Sequence, residues 1–252
     1  MKNIKLEICV YNPVSCFAAQ QGGADRIELC AGMPEGGITP SHALIEFAKD
    51  NLTIDTMVMI RPRGGDFLYD DYEFELMKKD IQLCKRIGVK GVVFGILTEE
   101  GDVDKQRNKI LLDCAHGMET CFHRAIDMTR DYVQSAKDIA DLGFTRILTS
   151  GGQNKALQGT ENIKMISDIL DGRIEIMAGS GVNPDNIKDI FDKSHPHAFH
   201  FSAKKTVSGG MKFKNPVVSM GGVGDVSEYD LSVSDIKEIR RAADVIKSIE
   251  KQ

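Results

Sequence analysis

Two short segments carry the same chemistry: Leu6-Glu7-Ile8-Cys9 and Ile27-Glu28-Leu29-Cys30. Each sets a carboxylate and a thiol two residues apart within an apolar run. In an extended strand, residues i and i+2 share a face. Glu7 with Cys9, and Glu28 with Cys30, therefore turn away from the apolar side. Two close thiolates suit a soft ion such as Cu(I), with thioether support, and Met57, Met59 and Met177 fall on the corresponding face of their own segments. Free cysteine is also a common core residue, so plain burial is the competing reading of Cys9 and Cys30.

Other groups suggest acid-base and anion chemistry. The segment Arg61-Pro62-Arg63-Gly64-Gly65-Asp66 offers two guanidinium forks beside a glycine pair, which suits a carboxylate or phosphate. The alternative is that these arginines pair with Asp66, Asp70 and Asp71. His123 opens His123-Arg124-Ala125-Ile126-Asp127, and its ordinary pKa of about 6.5 would let it exchange protons near neutrality. Glu7, Glu28, Arg61 and His123 form the candidate catalytic set. Glycines cluster in Ser150-Gly151-Gly152 and Gly179-Ser180-Gly181, and Ser202-Ala203-Lys204-Lys205 follows a later apolar run. Backbone N–H groups in such turns bind anions, which makes Arg63, Gly151, Gly152, Gly179, Gly181 and Ser202 the candidate anion-binding residues. Tight glycine turns in a crowded region would look the same.

These residues need a scaffold that brings them together. Apolar β-type runs begin near residues 4, 26, 56, 91, 119, 145, 173 and 197, a mean spacing of about 28 residues, which is room for a strand, a loop and a helix each time. Amphipathic helical patterns lie between them, such as Phe74, Met77, Ile81, Cys84 and Ile87, stopped by Gly88. Gly23, Gly88 and Gly143 each end a helix and lead into a strand, a weak internal repeat.

Side-chain parity then separates two architectures. Strands of an open parallel sheet are apolar on both faces, whereas barrel strands have a helix-facing side and an interior side whose C-terminal end opens into the active site. Most strands here have one polar face, giving an interior set of Glu7, Cys9, Glu28, Cys30, Arg61, His123, Ser150, Glu175, His200 and Ser202. No G-x-G-x-x-G follows the first strand, which removes the main support for a dinucleotide fold. The expectation is a single-domain (β/α)8 TIM-type barrel over residues 1–252, with a long loop insert at about 203–229 and a last helix from Ser232 to Lys251. Buried charges of both signs must be paired or functional, so the interior is either an Arg61–Glu network that neutralises itself or a site.

Composition narrows the partners. With 42% apolar and 27% charged residues, the chain is an ordinary globular protein with no membrane span. A net charge of -5 gives no reason to expect nucleic acid. The N-terminus runs directly into a strand without the pattern of a secretory signal, which points to the cytoplasm. The six cysteines show no Cys-x-x-Cys spacing, and a reducing compartment keeps them as thiols.

The segments "LEICV", "QQGGADRIELC", "EGGITPS", "MIRPRGGDFLY", "GVVFGILTEEGDVD", "CFHRAIDMTRD", "RILTSGG", "IEIMAGSGV", "FHFSA" and "MKFKN" together resemble the CutC family, known as copper homeostasis proteins. The resemblance runs over nearly the whole chain. It implies a cytoplasmic barrel, commonly a homo-oligomer, linked to copper tolerance. In some members Cu(I) binding is assigned to two cysteines, whose motif places are held here by Cys9 and Cys30. Gly179-Ser180-Gly181 departs from an expected run of three glycines, and Phe201 stands at a variable position. Two functions follow: a copper homeostasis protein holding Cu(I) through Cys9 and Cys30, or a barrel enzyme acting on a small anionic, perhaps phosphorylated, metabolite. Copper alone gives no role to Glu7, Glu28, Arg61 and His123.

Overall fold

In the computed structural model of the chain, which describes residues 4–218 and 227–251, eight parallel strands alternate with helices and close into a barrel. The order is β1 (Lys5–Val10), α1 (Pro13–Gly22), β2 (Arg26–Leu29), α2 (His42–Asn51), β3 (Asp55–Met59), α3 (Asp71–Ile87), β4 (Gly91–Phe94) and α4 (Lys105–Cys114). It continues with β5 (Glu119–Phe122), α5 (Tyr132–Leu142), β6 (Arg146–Thr149), α6 (Thr160–Leu170), β7 (Glu175–Gly179), α7 (Ile187–Ser194) and β8 (Ala198–Phe201). After β8 come β9 (Lys204–Ser208), β10 (Asp230–Ser234) and α8 (Ile236–Glu250). Strand β8 pairs with β1, so the sheet has no free edge. No helix among the described residues is long and apolar enough to cross a membrane.

Local chemistry explains the element boundaries. Asp70 and Glu73 form a reciprocal capping box at the start of α3. Gly23, Gly88 and Gly143 take left-handed φ values of 90, 80 and 95 and end α1, α3 and α5, as their repeated placement before a strand predicts.

The parity argument holds in the packing. Leu6, Ile8, Val10, Ile27, Leu29, Val58, Ile60 and their counterparts form one large core between barrel and helices. A separate small cluster fills the lumen: Cys9, Cys30, Met57, Met59, Val93, Cys121, Leu148, Met177 and Ala198. Facing the lumen, Glu7 is in register with Arg26 on one side and His200 on the other, and Cys9 is in register with Glu28.

The region expected as an unstructured insert is partly ordered. Lys204–Ser208 and Asp230–Ser234 pair as an antiparallel ribbon, and α8 starts at Ile236 behind an Asp235 cap instead of at Ser232. Thr206, Val207, Leu231 and Val233 supply the β-forming pattern, but each half reads as loop until its partner about 25 residues away is known. Residues 219–226 of the expected insert lie outside the described residues.

Candidate active site

The deepest layer of the lumen is a chain of ion pairs. Arg26 Nε donates to Glu7 Oε2 at 2.6 Å and its Nη2 to Glu175 Oε1 at 2.8 Å. Arg146 Nη2 bridges Glu175 at 3.0 Å and Glu119 at 3.1 Å. Burial alone would raise the Glu7 carboxyl, but Arg26 and His200 beside it hold it down to about 2. Its second oxygen, Oε1, lies 2.8 Å from His200 Nδ1.

The counter-ions of the buried carboxylates are thus Arg26 and Arg146, and the expected Arg61–Glu network does not form. Arg61 instead donates to the carbonyls of Glu35, Gly37 and Gly65, and lies 5.0 Å from the centre of the Phe67 ring. It sits at the end of β3, a layer above Glu7, and the loop carbonyls reach it first.

Above the ion pairs lies the thiol layer. Cys9 Sγ is 3.8 Å from Cys30 Sγ and 3.3 Å from Tyr11 Oη, and Cys30 Sγ is 3.5 Å from Glu28 Oε2. The same Glu28 oxygen stands 3.7 Å from His200 Nε2. The hydrogen bond shared with Cys30 draws the Cys9 thiol well below its usual range against the effect of burial, and His200 adds to this. Burial pushes Cys30 well up, with the neighbouring Cys9 sulfur adding to it. Burial also pushes Glu28 up, followed by the charge of Cys9. Burial opposes the His200 charge, but Glu28, Cys9 and Glu7 together raise its pKa well above the ordinary value. Cys9 is thus displaced toward the thiolate and His200 toward the imidazolium, beside the carboxyl groups of Glu7 and Glu28. Its ligand atoms converge in two overlapping groups, Cys9–Glu28–Cys30 and Glu7–Glu28–His200, each spanning no more than 4.8 Å.

A cavity of about 630 Å³ caps this layer at the C-terminal ends of the strands, where barrel sites form. Cys9, Glu28, Arg61, His123 and His200 all line it. Among the described residues, Glu28 Oε1, Arg61 Nε and His123 Nε2 are buried polar atoms without a hydrogen-bond partner. Such atoms cost roughly 1–3 kcal/mol each unless something completes them.

His123 has a defined state. Its Nδ1 accepts from the Ala125 N–H at 3.3 Å, which leaves the ring proton on Nε2. Burial, then the Arg61 charge, pull its pKa to about 3. It is therefore a neutral N–H donor and does not exchange protons near neutrality as its ordinary pKa would suggest. The ring packs on Phe67 with centroids 4.8 Å apart. Gly95 leaves room for it, since a Cβ there would stand 2.9 Å from His123 Nδ1.

The model of the CutC family matches residues 4–205. The chain is 46% identical over 250 residues to a CutC family protein of Bacteroides fragilis, covering 99% of this chain and 98% of that one. The chain belongs to the CutC family. It is also 44% identical over 244 residues to the human copper homeostasis protein cutC homolog, covering 97% and 89% of the two chains. The crystal structure of CutC from Streptococcus agalactiae superposes with a TM-score of 0.76 at 33% identity, covering 79% of this chain and 98% of that one.

In this CutC chain the expected residues divide. Cys9, Glu28, Arg61, His123, Gly181 and Ser202 share the cavity, while Glu7 and Cys30 lie fully buried beneath it. Arg63 stands apart, held by Glu73 at 2.6 Å and stacked 5.2 Å from the centre of Tyr69. The turn after β6 already contains an anion of its own. Asp127 accepts the N–H groups of Ser150 and Gly152 and the hydroxyls of Thr149 and Ser150, while Gly151 N–H goes to Thr149 Oγ1. Gly179 admits Leu148, which a Cβ would meet at 2.5 Å. In the turns after β7 and β8, by contrast, no hydrogen bond from the N–H of Gly181, Val182, Ser202 or Ala203 occurs among the described residues. Ser180 and Ala203 hold left-handed φ values of 76 and 47 there, a strain that non-glycine residues adopt where the backbone must present itself.

Three residues of the buried cluster fall outside the expected site set. Arg26 and Arg146 share the faces of Glu28 and Leu148 by the same i, i+2 rule, one step earlier in each strand. His200 was on the interior face by parity, and its pairing with Glu7 follows only from barrel closure.

Proposed function

We propose that this CutC family member binds a small anionic metabolite in the cavity at the barrel mouth and carries out acid-base chemistry on it. The observation that carries the reading is that Glu28, Arg61 and His123 all line one cavity and each holds a buried polar atom, Oε1, Nε and Nε2, without a partner among the described residues. A ligand that accepts from Arg61 and His123 and engages Glu28 would complete all three. The free N–H groups at Gly181, Val182, Ser202 and Ala203, with Lys204 beside them, suit the anionic end of such a ligand. Glu7, pinned by Arg26, orients and charges His200 rather than meeting the ligand. The protein is read as cytoplasmic and self-associating, as the family resemblance implies.

The test is calorimetric titration with dihydroxyacetone phosphate and with unphosphorylated dihydroxyacetone. Preferential binding of the phosphate ester, weakened roughly tenfold or more by Arg61→Met, is the expected result. Equal heats for both compounds, or an unchanged affinity in Arg61→Met, would count against the anion site.

A second reading is favoured by one distance. The Cys9 and Cys30 sulfurs are 3.8 Å apart, with a Glu28 oxygen 3.5 Å from Cys30. A metal bonded at about 2.3 Å to both sulfurs would subtend roughly 110°, bent enough to accept Glu28 as a third ligand. Cu(I) as cargo at Cys9 and Cys30 agrees with the name of the human relative. An affinity for Cu(I), measured against a competing chelator, that is unchanged in a Cys9→Ser, Cys30→Ser double variant sinks it.

A further inference from the structure

The unpaired atoms at the mouth differ in kind, and the difference specifies a reaction. Arg61 Nε and His123 Nε2 are hydrogen-bond donors, and both side chains flank one ring, Phe67, at 5.0 and 4.8 Å. Two unpartnered donors on residues that share the Phe67 ring and line the same cavity suit an oxygen on which negative charge develops. Glu28 Oε1 is the unpartnered acceptor of the set, while Glu28 Oε2 faces the His200 imidazole and the Cys30 thiol. A carboxylate with one oxygen anchored and the other buried without a partner, on a residue that lines the cavity, is placed to take a proton from a ligand that reaches it.

We infer that the site enolises a phosphorylated hydroxy-carbonyl metabolite, with Glu28 removing a proton from the carbon next to the carbonyl while Arg61 and His123 hold the carbonyl oxygen. This rests on the metabolite reading above and names its substrate class. In the step, the C–H bond breaks and its proton goes to Glu28 Oε1. The released pair forms the C=C bond, and the C=O π pair moves onto oxygen between the His123 and Arg61 N–H groups. Return of a proton from Glu28 to the same carbon regenerates the starting carbonyl compound, with exchange of that proton for one from solvent, so no oxidant, reductant or further reactant is needed.

His123 is suited to this as a donor and not as an acid. Its ring is fixed by the Ala125 N–H, its Nε2 proton has no acceptor among the described residues, and Gly95 and Phe67 set its plane. A neutral imidazole donates to a developing oxyanion without having to lose its own charge first. The phosphate end would occupy the turns after β7 and β8, where N–H groups of Gly181, Val182, Ser202 and Ala203 have no acceptor among the described residues. Nucleophilic attack by Cys9 is a less economical use of the site, since it leaves the two donors and Glu28 Oε1 unexplained.

The experiment follows dihydroxyacetone phosphate in 2H2O by proton NMR, with binding measured in parallel by calorimetry. The wild-type protein is expected to replace the carbon-bound protons with deuterium at least about 100-fold faster than buffer. Glu28→Gln should bring the rate back near that of buffer. His123→Asn should lower it roughly 100- to 1000-fold while leaving KM within a few fold, the signature of an interaction made only as charge develops. All proteins are purified identically and their melting curves compared, so that His123→Asn keeps the test decisive if Glu28→Gln does not fold. Binding of the ester without exchange overturns the enolisation and leaves the metabolite reading standing. Absence of binding overturns both. Exchange that persists unchanged in both variants also overturns the assignment, because the reaction would then belong to another base or to a contaminating enzyme.

Discussion

Replacing His123 by Asn isolates one buried imidazole through the pH dependence of folding. The unfolded chain carries His123 with an ordinary pKa of 6.5, and burial followed by the Arg61 charge lowers it to about 3 in the native protein. Between those values the unfolded state binds a proton that the native state refuses. Stability from this group is therefore fully present above pH 6.5 and is lost as the pH falls toward 3. Each unit is worth about 1.4 kcal/mol, so going from about pH 7.5 to 4.5 costs the wild-type protein about 2.7 kcal/mol through His123 alone, most of it below pH 6.5. Asn keeps an acceptor for the Ala125 N–H and removes the titration. Other groups contribute equally to both proteins and cancel in the difference. His200, with its pKa raised, acts in another window: its contribution is full below pH 6.5 and declines as pH rises through its native pKa. Glu7, lowered to about 2, loses its contribution only as pH falls from about 4.5 through 2. Urea unfolding followed by circular dichroism at pH 7.5, 6.5, 5.5 and 4.5 should show the two stability curves converging by about 2.7 kcal/mol between 7.5 and 4.5. Parallel curves would mean that His123 is protonated in the native protein, and its assignment as a neutral donor would fail.

Three further substitutions probe the scaffold. Arg26→Met strands Glu7 and Glu175 in the lumen and should lower stability by about 3–5 kcal/mol in urea unfolding, with part of the loss recovered in an Arg26→Met, Glu7→Gln double variant. Asp127→Ala empties the turn after β6 and should cost roughly 3 kcal/mol, with millimolar formate or acetate raising the melting temperature of the variant more than that of the wild type. Gly95→Ala places a Cβ 2.9 Å from His123 Nδ1, and should weaken dihydroxyacetone phosphate binding at a stability cost of roughly 1–3 kcal/mol, read by calorimetry and thermal melting.

The barrel was legible because its constraint is local and repeated. A strand every 28 residues or so, a left-handed glycine before several of them, and one polar face per strand are each visible in short windows, and all survive in the structure. The candidate site was legible in part for the same reason: parity brings Cys9, Glu28, Arg61, His123 and Ser202 to one cavity. Depth within the lumen is harder to read, because it depends on the stagger of neighbouring strands. Glu7 and Glu28 look equivalent in sequence, yet Glu7 sits at the level of Arg26 and Glu28 one layer higher, at the level of Cys9. Partner choice is hidden too. Arg61 finds loop carbonyls, and the glycine turn after β6 is filled by Asp127, more than 20 residues away in sequence. The shift of His123 arises from burial and a cation that only the closed barrel brings near. The β9–β10 ribbon needed both halves to be seen at once.

The central claim is that Glu28, Arg61 and His123 share one small anionic ligand at the barrel mouth. It is tested most directly by nitrogen-15 NMR of the His123 imidazole and the Arg61 Nε–H during titration with dihydroxyacetone phosphate. The prediction is that both signals shift together along one binding curve, that His123 stays in its neutral Nε2–H form, and that the shifts are reduced in Glu28→Gln. Saturable binding of the ester that leaves the His123 and Arg61 signals unmoved would contradict the claim.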